Sequence, residues 1–339
     1  MKLWFERGAW ASKRGRHKIA GIKPEDVKRI AVIRHAALGD MVLVRPFLIE
    51  ARKFFPNAEI VLNLVSNYTY GAPTDLVDSV HILHGSDQKR ASFKERIARA
   101  RELGEVDILF DLANTTRSRY LCLLTPAKIK IGFPYWWYIR NLFLDAAVHR
   151  SDFSFEAINM LDALMLLGAN PGIPPNFAWP KEIADIKAER PNKSVVYFPF
   201  ASVASKCWPK THFMQLIDQA AKTMPDYEHV ILAGIKPEEQ VTDYQSLADA
   251  HHNIRLQNAL DLDAATRMLA ATGVVVSNDT GVRNLAISLD TPTLGIFFST
   301  VPYRYWPRYG NHQAVFNADG SMPAVQSVLQ TLVEMTKRH

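Results

Sequence analysis

The sequence predicts an α/β protein made of two doubly wound, parallel-sheet domains. Three observations lead there. Short apolar runs rich in β-branched residues alternate with helix-periodic segments along nearly all of the 339 residues. A proline-rich interval from Gly168 to Lys193, with Pro171, Pro174, Pro175, Pro180 and Pro191, interrupts the alternation near its middle, and the alternation then restarts. The length also exceeds what one core usually holds. The expected division is a basic and aromatic arm over 1–28, a first domain over 29–170, a linker over 171–193 and a second domain over 194–339.

In the first domain, RIAVIR (29–34) is an apolar run of the kind a buried parallel strand requires, followed by a Gly-containing loop and a helical pattern from Met41 to Phe55. Strands are expected at 60–65, 79–83, 106–112 and 128–133, with helices at 92–103 and 157–167. In open α/β sheets ligands bind beyond the carboxyl ends of the strands, so the loops 34–40 and 114–119 should share one crevice. In the second domain, strands are expected at 194–200, 229–233, 254–256 and 273–277, with 293–297 finishing the sheet. Helices are expected at 210–223, 236–251, 263–271 and 325–337.

Charge separates the arm from the body. Residues 1–30 hold nine cations against three acids, which is the whole of the net +6. Trp4, Phe5 and Trp10 accompany them, so the arm suits an anionic membrane surface, the alternative being a solvated, partly disordered segment. No nucleic-acid signature follows it. No run of about 18 apolar residues occurs, no apolar leader stands at the N-terminus, and Cys122 and Cys207 lack metal spacing, as suits a reducing cytoplasm.

The most informative stretch is VVVSNDTGVRNLA (274–286), a strand entering a tight turn and then a helix. Such a helix offers unpaired N–H groups and its positive dipole end to an anion, with Gly281 allowing close approach. Asp279, Thr280 and Gly281 are equally ordinary capping residues.

Four segments line up in order: IAVIRHAALGDMVLVRP (30–46), FPFASVASKCWPKTHFMQLI (198–217), LAGIKPEEQ (232–240) and LDLDAATRMLAATGVVVSNDTGVRNLAISLDTPTLGIF (260–297). Together they resemble the ADP-heptose:lipopolysaccharide heptosyltransferases, glycosyltransferase family 9. The resemblance implies a GT-B fold, two Rossmann-like domains facing a cleft, with nucleotide-sugar on the C-terminal domain and acceptor on the N-terminal one. It implies that Asp40 is the base that takes the acceptor hydroxyl proton, its other reading being a cap on the following helix. Arg34, Gly39, Arg117 and Arg119 become the acceptor-side candidates, the cations holding acidic sugars or phosphates.

On the donor side the resemblance implies that Lys206, with Ser202, contacts the diphosphate and stabilises leaving-group charge without a metal. Glu238 corresponds to the carboxylate on the ribose hydroxyls, Leu260 to the position whose backbone reads adenine, and Asp279, Thr280 and Gly281 to the phosphate turn. One departure stands out: the family usually has His five residues after that Asp, where this chain has Asn284, which cannot carry charge. Arg283 could supply a cation instead, or the donor could differ.

Asp261-Leu262-Asp263 formally satisfies a metal-binding DxD, but it precedes a helix, so capping is the better account; no metal and no cofactor are expected. The expected activity is an inverting transfer of heptose from ADP-heptose to a lipopolysaccharide-core acceptor, at the cytoplasmic face of the inner membrane. A nucleotide-sugar epimerase on the same fold and a catalytically silent binding protein are the alternatives.

Overall fold

The computed structural model describes residues 9–135, 140–189 and 193–337. The chain forms two compact units, one ending at Ala178 and the other beginning at Trp179.

The first unit contains, in order, β1 (Trp10–Ala11), α1 (Lys13–Ala20), β2 (Arg29–Ile33), α2 (Leu38–Val42), α3 (Arg45–Phe54), β3 (Glu59–Val65), β4 (Ser79–Leu83), α4 (Phe93–Arg101), β5 (Val106–Asp111), α5 (Thr116–Leu124), β6 (Ala127–Gly132), α6 (Arg140–Phe143), β7 (Ala146–Ala147) and α7 (Glu156–Met165). Its seven strands lie in the order β1-β7-β6-β5-β2-β3-β4, all parallel except the β1–β7 pair. From β2 the chain winds one way through β3 and β4, and from β5 the other way through β6 and β7. The winding therefore reverses between β2 and β5, where ligands of such sheets collect.

The second unit contains α8 (Lys181–Ala188), β8 (Ser194–Phe198), α9 (Lys210–Thr223), β9 (Glu228–Leu232), α10 (Gln245–Ala250), β10 (Ile254–Gln257), α11 (Leu262–Ala270), β11 (Val274–Asn278), α12 (Gly281–Ser288), β12 (Thr293–Ile296), β13 (His312–Val315) and α13 (Val325–Thr336). Its six strands are all parallel, in the order β10-β9-β8-β11-β12-β13, and their winding reverses between β8 and β11. Val195, Tyr197, Val276 and Leu294 of the sheet share a core with Phe213, Leu216 and Ile217 of α9 and Val328 and Leu332 of α13.

Several expectations are corrected. The arm is folded from Trp10 onward: β1 pairs with β7, Ser12 caps α1, and Lys18 grips Asp145 at 2.7 and 2.8 Å. Gly15 is what lets α1 dock, since a Cβ there would sit 2.3 Å from the Asp145 carbonyl oxygen. The other members of the proposed membrane patch, Lys2, Trp4, Phe5 and Arg7, lie outside the described residues. The interval expected to be a linker contains α8, because Pro180 begins the helix as its N-cap rather than interrupting it, and Ile183 is buried. The 41–55 helix breaks after Val42, with Pro46 opening the second piece, and the 236–251 helix is reduced to 245–250 because Glu239 folds back over Gly234. The sheet does not finish at β12; β13 adds a further parallel strand.

Candidate functional site

In a parallel sheet every loop that follows a strand opens at the same edge, and the predicted site residues follow strands in both units.

In the first unit the loop after β2 carries Arg34 to Asp40. Arg34 is 2% exposed and its guanidinium turns inward: Nη1 donates to the Leu112 carbonyl at 2.7 Å and to Glu156 at 3.1 Å, while Nε and Nη2 donate to the Asp40 carbonyl at 3.2 and 3.0 Å. Glu156, fully buried, is shared with Arg150 at 2.7 Å. A buried carboxylate needs such pairing, and it claims Arg34, which holds the loop instead of reaching outward. Gly39 is buried within α2.

Asp40 is not a cap. The N-cap of α2 is Ala37, without a side-chain bond, and Asp40 Oδ1 accepts no hydrogen bond although Arg34 Nη2 lies 3.8 Å away. That oxygen is buried beside the guanidinium, while the Asp40 side chain as a whole stays 35% exposed.

The loop after β5 is organised by Asp111. This fully buried carboxylate accepts the backbone N–H groups of Ala113 and Asn114 at 3.0 Å each and the Ser118 hydroxyl at 2.9 Å, and Tyr135 donates its hydroxyl to the same group. Burial pushes the Asp111 carboxyl above its ordinary range. Asn114 stands at φ 51°, a left-handed conformation Asn tolerates. Arg119 packs over the Tyr135 ring at 4.9 Å, whereas Arg117 is half-buried and has no carboxylate partner among the described residues.

Sequence reasoning passed over a hydrogen-bond chain beside these loops. His81 Nε2 meets the Arg99 carbonyl at 2.8 Å and so must donate; Asn63 Nδ2 then donates to His81 Nδ1 at 2.7 Å. Asn63 Oδ1 accepts from His35 Nε2 at 2.8 Å, and His35 Nδ1 accepts from the Thr115 hydroxyl at 3.0 Å. The chain places the His35 proton on Nε2, and burial, reinforced by Arg117 and Arg34, lowers its pKa to about 4. The apolar alternation of β3 hid the signal: a lone Asn within IVLNLV demands a partner.

In the second unit the loops on either side of the winding reversal meet. Lys206, after β8, places Nζ 2.6 Å from Asp279 Oδ2, after β11, and the Thr300 hydroxyl, after β12, donates to the same oxygen at 3.0 Å. Asn278 knits the loops: its Oδ1 accepts the Trp208 N–H at 3.0 Å and its Nδ2 donates to the Pro199 carbonyl at 3.0 Å. Trp208 is core, 1% exposed, with its indole N–H on the Pro323 carbonyl. Thr280 caps α12 through the Val282 N–H at 3.3 Å. Gly281 opens the helix, whose first N–H groups have no carbonyl partner within it. Thr300 escaped notice in the sequence, although its place after a strand next to β11 marks that edge.

Arg283 is corrected. It is fully buried, donates to the Tyr305 carbonyl, lies over the Phe297 ring at 5.0 Å, and has its pKa pulled down to about 10 by burial. It stands behind the turn rather than in it, and its Nε and Nη2 have no acceptor. Asn284 is 4% exposed with Oδ1 unpartnered. Ser202 and Glu238 are exposed and Leu260 is half-buried, on the loops after β8, β9 and β10 respectively; the neighbouring Glu239 is the buried one and braces its own loop. Asp261 caps α11 through the Ala264 N–H at 2.8 Å and Asp263 pairs with Arg267. Among the described residues no group of three or more His, Cys, Asp or Glu side chains could hold a metal ion, and no helix is long and apolar enough to cross a membrane.

Glycosyltransferase family 9 (heptosyltransferase) matches residues 96–331. Lipopolysaccharide heptosyltransferase 1 of Escherichia coli O18:K1:H7 (strain RS218 / NMEC) is 22% identical over 311 residues, covering 86% of this chain and 92% of that protein. Among solved structures, E. coli heptosyltransferase WaaC with ADP-2-deoxy-2-fluoro heptose superposes with a TM-score of 0.70 at 20% identity, over 90% of this chain and 99% of that one. The glycosyl transferase family 9 protein from Veillonella parvula DSM 2008 gives 0.72 at 17% identity, over 92% and 98%. The two parallel-sheet units are those of a GT-B fold.

Proposed function

Because the chain belongs to glycosyltransferase family 9, the heptosyltransferases, we propose that it moves heptose from ADP-heptose to a lipopolysaccharide-core acceptor, with inversion and without a metal. The observation that carries this reading is the Lys206–Asp279–Thr300 cluster at the winding reversal of the second sheet, beside the capped start of α12. A cation and oriented amides at that point suit a diphosphate leaving group. The WaaC structure named above holds an ADP-heptose analogue, which supports the same donor class here.

In the proposed mechanism Asp40 takes the proton of the acceptor hydroxyl, and that oxygen attacks the anomeric carbon from the face opposite the diphosphate. One carboxylate acting as base, with no second nucleophile invoked, makes a single displacement, which inverts. As the bond to the diphosphate breaks, Lys206, Ser202 and the amides of Thr280 and Gly281 take up the charge that develops on ADP. Glu238 accepts hydrogen bonds from ribose hydroxyls, and the backbone near Leu260 meets the base. Arg117 is the acceptor-side cation, with Arg34 and Gly39 positioning Asp40 and Arg119 bracing the loop through Tyr135. Asn284, where the family pattern usually has His, hydrogen-bonds the donor without adding charge. The enzyme works as a peripheral protein on the cytoplasmic face of the inner membrane.

The test is calorimetric titration, without divalent metal, against ADP, UDP, GDP and CMP, repeated with Lys206→Ala. Selective ADP binding that weakens about tenfold or more in the variant is expected. A preference for UDP would redirect the reading to another nucleotide-sugar or to an epimerase, and binding of none would sink it.

A further inference from the structure

The first unit carries an apolar groove between α4 and α5. It has a volume of about 520 Å³ and is lined by Leu83, Ile97, Leu121 and Leu124, with Phe93 and Tyr120 at its rim. Phe93 is 72% exposed, Tyr120 56% and Leu123 49%. Large apolar side chains grouped in solvent mark a surface that something else covers.

Charge identifies the kind of partner. Lys89, Arg90 and Lys94 are exposed beside Phe93, and among the described residues none of them has a carboxylate partner. Arg96, in the groove wall, donates only to backbone carbonyls, those of Ala91 and Gln88 at 3.0 and 2.8 Å, so its charge is uncompensated too. Between Ser86 and Glu102 six cations face three acids; Glu102 is taken by Arg99, and Glu95 is already engaged in the capping box of Ser92. Exposed aromatic and aliphatic side chains ringed by unpaired Lys and Arg are what the interface of an anionic bilayer accommodates: apolar groups enter the acyl boundary while ammonium and guanidinium groups meet headgroup phosphates.

Placement agrees. The helices α4 and α5 follow β4 and β5, so Phe93 and Arg117, in their first turns, stand at the carboxyl edge of the sheet, the edge that holds Asp40, with Tyr120 one turn further along α5. An enzyme whose acceptor is anchored in lipid needs its membrane face beside the acceptor loops. The described part of the N-terminal segment is elsewhere: Lys23 and Lys28 precede β2 at the opposite, amino edge, and Lys18 is spent on Asp145.

We propose that the α4–α5 face is the surface on which this protein rests on an anionic membrane, with Phe93, Tyr120 and Leu123 inserted and Lys89, Arg90, Lys94 and Arg96 on the headgroups. The inference rests on the lipid-linked acceptor reading but not on the identity of the donor. Its test is sedimentation of the full chain with vesicles of equal parts phosphatidylglycerol and phosphatidylcholine, beside pure phosphatidylcholine vesicles and a structured RNA. The parent should partition onto the anionic vesicles alone. Phe93→Ser with Leu123→Ser, and separately Lys89→Glu with Arg90→Glu, should each lower the partition coefficient about fivefold or more, with ADP binding and the thermal midpoint unchanged. Parent-like sedimentation of both pairs, loss only on Arg14→Glu with Arg16→Glu, no vesicle binding by the parent, or binding of RNA in place of vesicles would each overturn it. ADP binding is read separately, so a failed donor assignment leaves the vesicle result standing, and the reverse.

Discussion

Asp40 keeps an oxygen, Oδ1, that no donor reaches, although Arg34 lies within 4 Å and gives its hydrogen bonds to the backbone carbonyl of the same residue. The guanidinium fixes the loop and covers Oδ1, while the side chain as a whole stays 35% exposed. Asp40→Asn preserves shape and removes basicity, so transfer should slow about 100-fold or more while ADP affinity stays within twofold of the parent. Single-turnover kinetics with a verified acceptor, alongside calorimetry, checks this, and near-normal transfer would end the base assignment. The Gly39-Asp40 position was legible in the sequence because a strand followed by a Gly loop defines where its last residues emerge. The inward turn of Arg34 was not: it depends on Glu156, a residue more than a hundred positions away that reads as an ordinary first-turn acid of α7.

At the scale of elements, β11 and α12 hold the second site through what lies beneath them. Arg283 fills the space under the turn because Gly295 on the adjacent β12 leaves room for it. A Cβ at Gly295 would stand 2.4 Å from Arg283 Nε and 2.7 Å from the Phe297 ring. Since Arg283 is fully buried it cannot swing away, so Gly295→Ala should destabilise the second unit by about 2 kcal/mol through overpacking. Urea unfolding followed by tryptophan fluorescence measures this, and ADP affinity should fall with it as α12 is pushed outward. A stability equal to the parent's would show that Arg283 repacks freely. Strands such as β2, β8 and β11 were readable because a parallel strand covered on both faces must be an apolar run. The edge strand β13 was not, since His312 and Gln313 carry no such pattern and its partner β12 supplies the burial. Helix α8 was masked by the surrounding prolines, of which Pro180 serves as its N-cap.

Over the whole molecule, burial lowers the pKa of four histidines among the described residues: His35, His81, His229 and His312. Burial, with Arg117 and Arg34 adding to it, holds His35 at about 4; burial, reinforced by His251, holds His229 at about 4; and burial, with Arg283 adding to it, holds His312 at about 3. An unfolded histidine titrates near 6.5, so on acidification the unfolded chain takes up protons that the fold refuses. The stabilisation is fully present above about pH 6.5 and is lost as pH falls from there toward 4, by up to about 3 kcal/mol for a fully buried ring. The thermal midpoint should therefore be level between about pH 7 and 8 and drop steadily below 6.5. His312→Gln should flatten part of that slope, and an unaltered slope would mean that His312 is already charged in the fold. Two parallel sheets with their winding reversals were legible from the alternation of runs along the chain. The division between Ala178 and Trp179 falls inside the proline-rich interval expected to separate the domains, although that interval also holds α8 of the second unit.

The resting contact between Lys206 and Asp279 also bears on how the protein behaves among the abundant small anions of a cell. With its ammonium already neutralised by a carboxylate that is 7% exposed, the turn presents no bare cation to orthophosphate or to other diffusing phosphoesters. A newcomer must separate an existing ion pair before it can occupy the place. On the donor-site reading proposed above, a molecule that brings further contacts through a nucleoside and a sugar should displace the pair more readily than a bare phosphate.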